Sequence, residues 1–140
     1  MKSTKCSSRK IDHYLKLLFP INRSITGEGN RKTLEILKQI VPLQIIEYPS
    51  ATQVYDWKIP NEWKVKRAWI KDSNGNILVD FDKNNLHLMS YSEPYRGQIG
   101  FDELKEHLYY SADHPDAIPY RTTYDEPKWG FCVTQEQYEN

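Results

Sequence analysis

Three groups of side chains in this 140-residue chain are of kinds that do chemistry, and their spacing decides which chemistry is open to them. The first is the glycine-rich run "NRSITGEGNRKT" at residues 22–33. A phosphate-cradling loop of the Walker kind needs a glycine directly before its lysine, a run of backbone amides and a strand leading in. Arg31 stands where that glycine would be, and "LFPIN" ahead of the run reads as a helix end. The dinucleotide fingerprint fails as well, because Gly27 and Gly29 are followed by Lys32 where the third glycine belongs. The run predicts a helix start instead: Thr26 as cap, glycines easing a tight turn, and Glu28 beside the positive helix end. A cleft-lining use stays open, in which Arg23, Thr26 or Glu28 meets a substrate.

The second group is the histidines and cysteines. His107 and His114, with Asp113 and Asp116, invite a metal, but zinc sites favour short ligand pairs and Pro115 breaks the run. Solvated surface histidines are the expectation, with His13 on a helix face and His87 on the outer face of a strand. Cys132 lies in the apolar "WGFCV" and predicts a small buried hydrophobe rather than a nucleophile. Cys6 and Cys132, far apart and unaccompanied, make no disulfide framework and point to a reducing compartment. No serine sits on a glycine-flanked strand–turn–helix elbow. The sequon Asn22-Arg23-Ser24 comes without a secretion signal, so chance accounts for it.

The third group is Tyr120, Arg121, Tyr124, Lys128 and Trp129 in "PYRTTYDEPKWGF". Aromatics interleaved with cations can stack a sugar or a peptide. The same residues could equally form a proline-punctuated connection packed back onto a sheet.

The elements that must position these groups follow from periodicity. Residues 1–8 read as a polar, mobile tail. A helix capped by Ser8 carries Ile11, Tyr14, Leu15 and Leu18 on one face and stops before Pro20. A second helix runs from "GEGNRK" to Pro42, with Leu34, Leu37 and Val41 as its buried stripe. Two short helices close no core alone and must dock on something. Beyond Pro42 the pattern turns β-rich. "LQIIEY" and "LHLMSY" read as strands, and "VKRAWIKDSNGNILVDF" as a hairpin about an Asn-Gly turn with Ile77, Val79 and Phe81 on one face. "FDELKEHLYY" returns to helical spacing through Phe101, Leu104 and Leu108, and "WGFCV" predicts a buried strand. Thr134 and Gln137 stand at capping-box spacing, so a helix is expected to open near the C-terminus.

Lysine plus arginine equals aspartate plus glutamate at 19 each, so the formal net charge is zero. No long-range field draws nucleic acid or an anionic membrane. Nothing approaches the roughly 18 apolar residues of a membrane span. A soluble, cytoplasmic protein is expected.

The runs "LFPINRSITGEG", "ATQVYDWKIPNEW", "NLHLMSY", "DELKEHLYY" and "PDAIPYRTTYDEPKWGFCVTQEQY" occur in the order found in a bacterial zinc aminopeptidase-like family, which the chain resembles over about residues 10–138. The resemblance implies a peptidase-type α/β domain interrupted by a β-rich inserted domain of unknown function, with a winged helix at the C-terminus of full-length members. It implies that residues 9–42 are the first helices of the peptidase domain and residues 43–140 most of the insert. It also implies a peptide substrate and zinc for full-length relatives. Their zinc ligands are expected downstream of residue 140, so no catalytic or metal residue carries over to this chain.

The expectation is an α+β chain: an N-terminal helical hairpin, then a mostly antiparallel β-rich domain with one helix, as an incomplete fragment of a larger hydrolase. Such a fragment requires the missing C-terminal part for activity. The alternative is a non-catalytic module that binds peptide or carbohydrate through Tyr120, Arg121 and Trp129.

Overall fold

A computed structural model describes residues 3–124 and 126–140, with side chains for all of these except residues 3–7 and 9. The chain divides into two compact units, Met1–Lys64 and Val65–Asn140.

In the first unit, helix α1 spans Ser3–Leu18. It starts earlier than its composition predicts, because no proline or glycine interrupts residues 3–8 and a helix once nucleated propagates. Ser8 is therefore interior rather than a cap, and the expected mobile tail is helical from Ser3 on. At the other end Pro20 brings no N–H, and the Arg23 guanidinium donates to the Leu18 carbonyl at 2.8 Å, satisfying one of the orphan acceptors.

Helix α2 spans Glu28–Lys38. Its cap is Gly27, not Thr26, and no side chain caps it. Gly27 sits at φ 130°, a conformation L side chains rarely adopt, which displaces the capping role by one residue. A β-carbon on Gly29 would overlap the Asn22 carbonyl oxygen, so both glycines serve a tight reversal of the backbone. Asn30 fastens it by donating to the Ser24 and Ile25 carbonyls, each at 2.7 Å.

After α2, "LQIIEY" forms no strand and joins no ladder. Strands β1 (Gln53–Val54) and β2 (Trp57–Lys58) form a short antiparallel hairpin about Tyr55 and Asp56. Arg31 of α2 pairs with Glu47 at 2.7 Å, with Glu28 at 3.6 Å and with Glu62, joining three segments of this unit. Among the described residues of the unit only Gly27 is buried. The apolar stripes predicted for the two helices are largely solvent-facing here: Ile11 and Leu15 are 58% and 62% exposed, and Leu34 and Val41 are exposed too.

In the second unit the predicted hairpin forms from β3 (Trp69–Lys71) and β4 (Ile77–Asp80), antiparallel, with a bulge after Ile70. Its turn is organised by the Asp72 carboxylate, which accepts from the Asn74 and Asn76 amides and from the Asn76 side chain at 2.8–2.9 Å. These bonds hold the Asp72 carboxyl below its ordinary range.

"LHLMSY" is not a strand. Residues Asn85–His87 form a 3-10 turn capped by Asn84, and the following residues join their neighbours only by single bridges, Leu88 to Phe131 and Ser90 to Thr122. Helix α3 is confined to Phe101–Lys105, because Leu108 belongs to strand β5 (Leu108–Tyr109). That strand pairs in parallel with β6 (Phe131–Cys132), inside the run "WGFCV". Helix α4 spans Gln135–Glu139 and opens with a reciprocal capping box between Thr134 and Gln137.

The architecture of the described residues is α+β, with four α-helices and short, mostly antiparallel strands. The core lies in the second unit, where Val79, Phe131 and Val133 pack with Ile70, Leu88 and Leu108 around them. Each such side chain removed from water contributes about 1.5–3 kcal/mol.

Candidate functional site

A half-open cavity of about 320 Å³ lies in the second unit. Its floor is the buried Met89, and Tyr109 enters from β5. The rest of its lining is Arg121, Thr122, Thr123, Tyr124, Glu126 and Lys128, held against residues 90–93 by backbone bonds. The Ser90 amide donates to the Arg121 carbonyl at 2.9 Å, the Thr123 amide to Ser90 at 2.9 Å, and the Glu93 amide to Lys128 at 2.8 Å. The Thr123 hydroxyl donates to the Glu126 carbonyl at 2.6 Å. An irregular segment is thereby held as a wall.

Two cations and one carboxylate face this cavity: Arg121, Lys128 and Glu126. Lys128 pairs with Glu126, which holds the Glu126 carboxyl below its usual range and raises the Lys128 ammonium. Arg121 has no carboxylate partner among the described residues. Its guanidinium lies 5.5 Å from the centre of the Tyr109 ring, a cation–π distance. Tyr124 is braced edge-on by Tyr91, with ring centres 4.8 Å apart at 77°.

Trp129 is elsewhere. It lies between Tyr95 and His107, with ring centres 4.4 Å and 3.7 Å away and planes within 13° and 11° of parallel. Nδ1 of His107 donates to the Trp129 carbonyl at 3.0 Å, because a carbonyl can only accept. His107 is thus a packed ring, not the solvated histidine its spacing predicts. His87 is likewise buried, and its Nδ1 donates to the Cys132 carbonyl at 2.8 Å. Its expected place on an outer strand face fails because that stretch is a 3-10 turn folded inward.

Of the predicted binding residues, Arg121 reaches the cavity, Trp129 belongs to the aromatic stack, and Tyr120 is 67% exposed outside the lining. In the first unit Arg23 bonds the end of α1, Glu28 pairs with Arg31, and the Thr26 carbonyl accepts from the Ser24 hydroxyl. Met89, Tyr109, Thr122 and Thr123 line the cavity without any signal in local spacing. Tyr109 is carried there by the pairing of β5 with β6, which no short-range pattern announces.

Cys132 is fully buried and its thiol is pushed up to about 11 by loss of solvent, against a backbone bond and the charge of Arg121. It is a neutral packing group at pH 7, as its apolar setting predicts. Among the described residues no three His, Cys, Asp or Glu side chains converge on a point that could hold a metal ion. The described groups therefore do not fit a zinc centre. Among the described residues, no helix is long and apolar enough to cross a membrane.

With β3 to β6 and the cavity wall within it, residues 62–140 match the family described as "Domain of unknown function (DUF2172)", and the chain belongs to that family. A protein of Clostridium acetobutylicum, provisionally named as a polysaccharide biosynthesis protein with an aminopeptidase-like domain, is 45% identical over 130 residues. That alignment covers 93% of this chain and 30% of the relative. A crystal structure from the same organism, provisionally described as a peptidase, superposes with a TM-score of 0.89 at 43% identity, covering 96% of this chain and 32% of the other. The chain spans about a third of the length of these relatives, one named for an aminopeptidase-like domain and the other described as a peptidase.

Proposed function

We propose that the chain is the N-terminal segment of a zinc-dependent aminopeptidase-like hydrolase of the bacterial cytoplasm, acting on peptides, and that its own residues supply neither metal ligands nor catalytic groups. The observation that carries this reading is the match of nearly the whole chain to about a third of each relative, one of them named for an aminopeptidase-like domain. Hydrolysis by zinc takes about three protein ligands and an open position for water. In this reading those ligands lie in the remaining two-thirds of the relatives.

The test compares the purified 140-residue chain with the longer Clostridium acetobutylicum relative, measuring bound zinc and release of p-nitroaniline from aminoacyl p-nitroanilides. Zinc and turnover are expected in the relative and in neither measurement of the chain. Stoichiometric zinc with turnover in the chain, or their absence from the relative, would overturn the proposal.

A second reading is supported by the cavity itself: a non-catalytic module that binds a peptide or a carbohydrate. Tyr109 and Tyr124 offer ring surface beside Arg121 and Lys128, a combination suited to stacking with polar anchorage.

A further inference from the structure

We infer that the exposed turn between β3 and β4 is a site of spontaneous covalent modification: Asn74 closes on the Gly75 nitrogen and converts to aspartate and isoaspartate, with Asp72 as the brake. This goes beyond the proposed function and depends on neither reading of it.

The chemistry comes from the residue pair. The amide carbon of an asparagine side chain can close a five-membered ring with the main-chain nitrogen of the next residue. Asn74 is the one asparagine of this sequence followed by glycine, and glycine carries no β-carbon to shield its nitrogen from that approach. The Gly75 nitrogen loses its proton and bonds to Asn74 Cγ. The bond from Cγ to Nδ2 breaks, and Nδ2 leaves with that proton as ammonia. Water then opens the cyclic imide. Attack at Cγ leaves aspartate, whereas attack at the main-chain carbonyl carbon leaves isoaspartate, with the chain running through Cγ. Water is the co-reactant, and nothing is oxidised or reduced.

The structure adds access and restraint. Asn74 and Gly75 are both exposed, and among the described residues a β-carbon on Gly75 would meet no atom within 4 Å. The ring can form there without displacing a neighbour. Against this, the Gly75 amide donates to the Asp72 carbonyl at 3.1 Å. The Asn74 and Asn76 amides donate to the Asp72 carboxylate at 2.9 Å and 2.8 Å. The attacking nitrogen is engaged, and the main chain is held on both sides of it. Ring closure waits on release of these bonds, which at an exposed turn takes a local opening rather than global unfolding.

The consequence reaches the core. Either product sets a new carboxylate beside that of Asp72, and the iso form lengthens the main chain by one carbon. The turn fixes the register of a hairpin, and β4 carries the buried Val79.

The test holds the folded 140-residue chain in mildly alkaline buffer for days. Samples are read by peptide mass mapping and by an isoaspartyl-specific methyltransferase with labelled S-adenosylmethionine. Asn74 is expected to gain the mass of an amide-to-acid exchange before any other asparagine, with methyl acceptance rising alongside. Asn74→Gln should abolish that acceptance, because glutamine would have to close a larger ring. Asp72→Ala should convert at least about threefold faster than wild type, the scale of a lost hydrogen bond to a charged group. Should that variant fail to fold, wild type held in urea, where every turn bond is released, gives the same comparison. An intact Asn74 in the folded chain, or another asparagine converting first, would overturn the site. Conversion no faster in Asp72→Ala, or in urea, would overturn the brake. An unaltered denaturant midpoint in the fully converted chain would overturn the link to the core.

Discussion

Cys132 shows how burial alone sets the chemistry of a side chain. An isolated thiol ionises near 9.0, and here loss of solvent lifts it to about 11. The folded chain therefore keeps its proton over a range in which the unfolded chain gives it up. Stability from this group is fully present below pH 9 and is lost as pH rises from about 9 to about 11, a difference of about 2–3 kcal/mol. Denaturant unfolding of wild type and Cys132→Ala as a function of pH should show the extra alkaline decline only in the wild type, and iodoacetamide should leave the native thiol unmodified at pH 8. The neighbouring Trp129 teaches a different lesson. Its sequence context places it with the cations of the 120–129 stretch, yet the chain turns it to the opposite use, as the middle ring of a stack with Tyr95 and His107. Nothing in the spacing of residues 95, 107 and 129 announces that meeting, because the three come from separate loops.

At the scale of elements, the parallel pair β5–β6 decides most of what surrounds the cavity. Gly130 precedes β6 at a point where the backbone leaves no room. A β-carbon there would lie 2.6 Å from the Tyr109 ring and 2.9 Å from the His107 carbonyl oxygen. Gly130→Ala is expected to push the strands apart and to destabilise by about 1–3 kcal/mol or more, the range of overpacked cores, measured as a shift in denaturant midpoint. Elements with local signals were legible from sequence: α2, the β3–β4 hairpin about its Asn-Gly turn, and the Thr134–Gln137 capping box. Elements that depend on distant partners were not. Leu108 fits a helical stripe through Phe101 and Leu104, but its pairing with Phe131 draws it into a strand. "LHLMSY" alternates like a strand, but Asn84 accepts a hydrogen bond from the Leu86 amide and starts a 3-10 turn instead. Of the cavity, the sequence disclosed the cations and Tyr124, whereas Met89 and Tyr109 arrive through tertiary pairing.

Across the whole molecule, burial is uneven. The buried hydrophobic residues, Val79, Met89, Phe131, Cys132 and Val133, all belong to the second unit. The first unit keeps Phe19 81% and Ile25 63% exposed and is joined largely by helix bonds and the ion pairs of Arg31. Exposed ion pairs add little, about 0–1 kcal/mol each in general. Hydrogen exchange on the intact chain should therefore find the amides of β4 and β6 protected to the level of global unfolding. Those of α2 should exchange by easier, local opening. Equal protection in the two regions would show that the first unit draws stability from interactions other than burial within itself.

The pairing of β5 with β6 also bears on biosynthesis. Val79 leaves the ribosome about fifty residues before Phe131 and Val133, the side chains that complete its packing. At ~5–20 residues per second the nascent hairpin waits about 3–10 s, its inner face uncovered, until the last strand emerges. Slow codons within that interval would lengthen the time in which a chaperone could capture the unfinished chain.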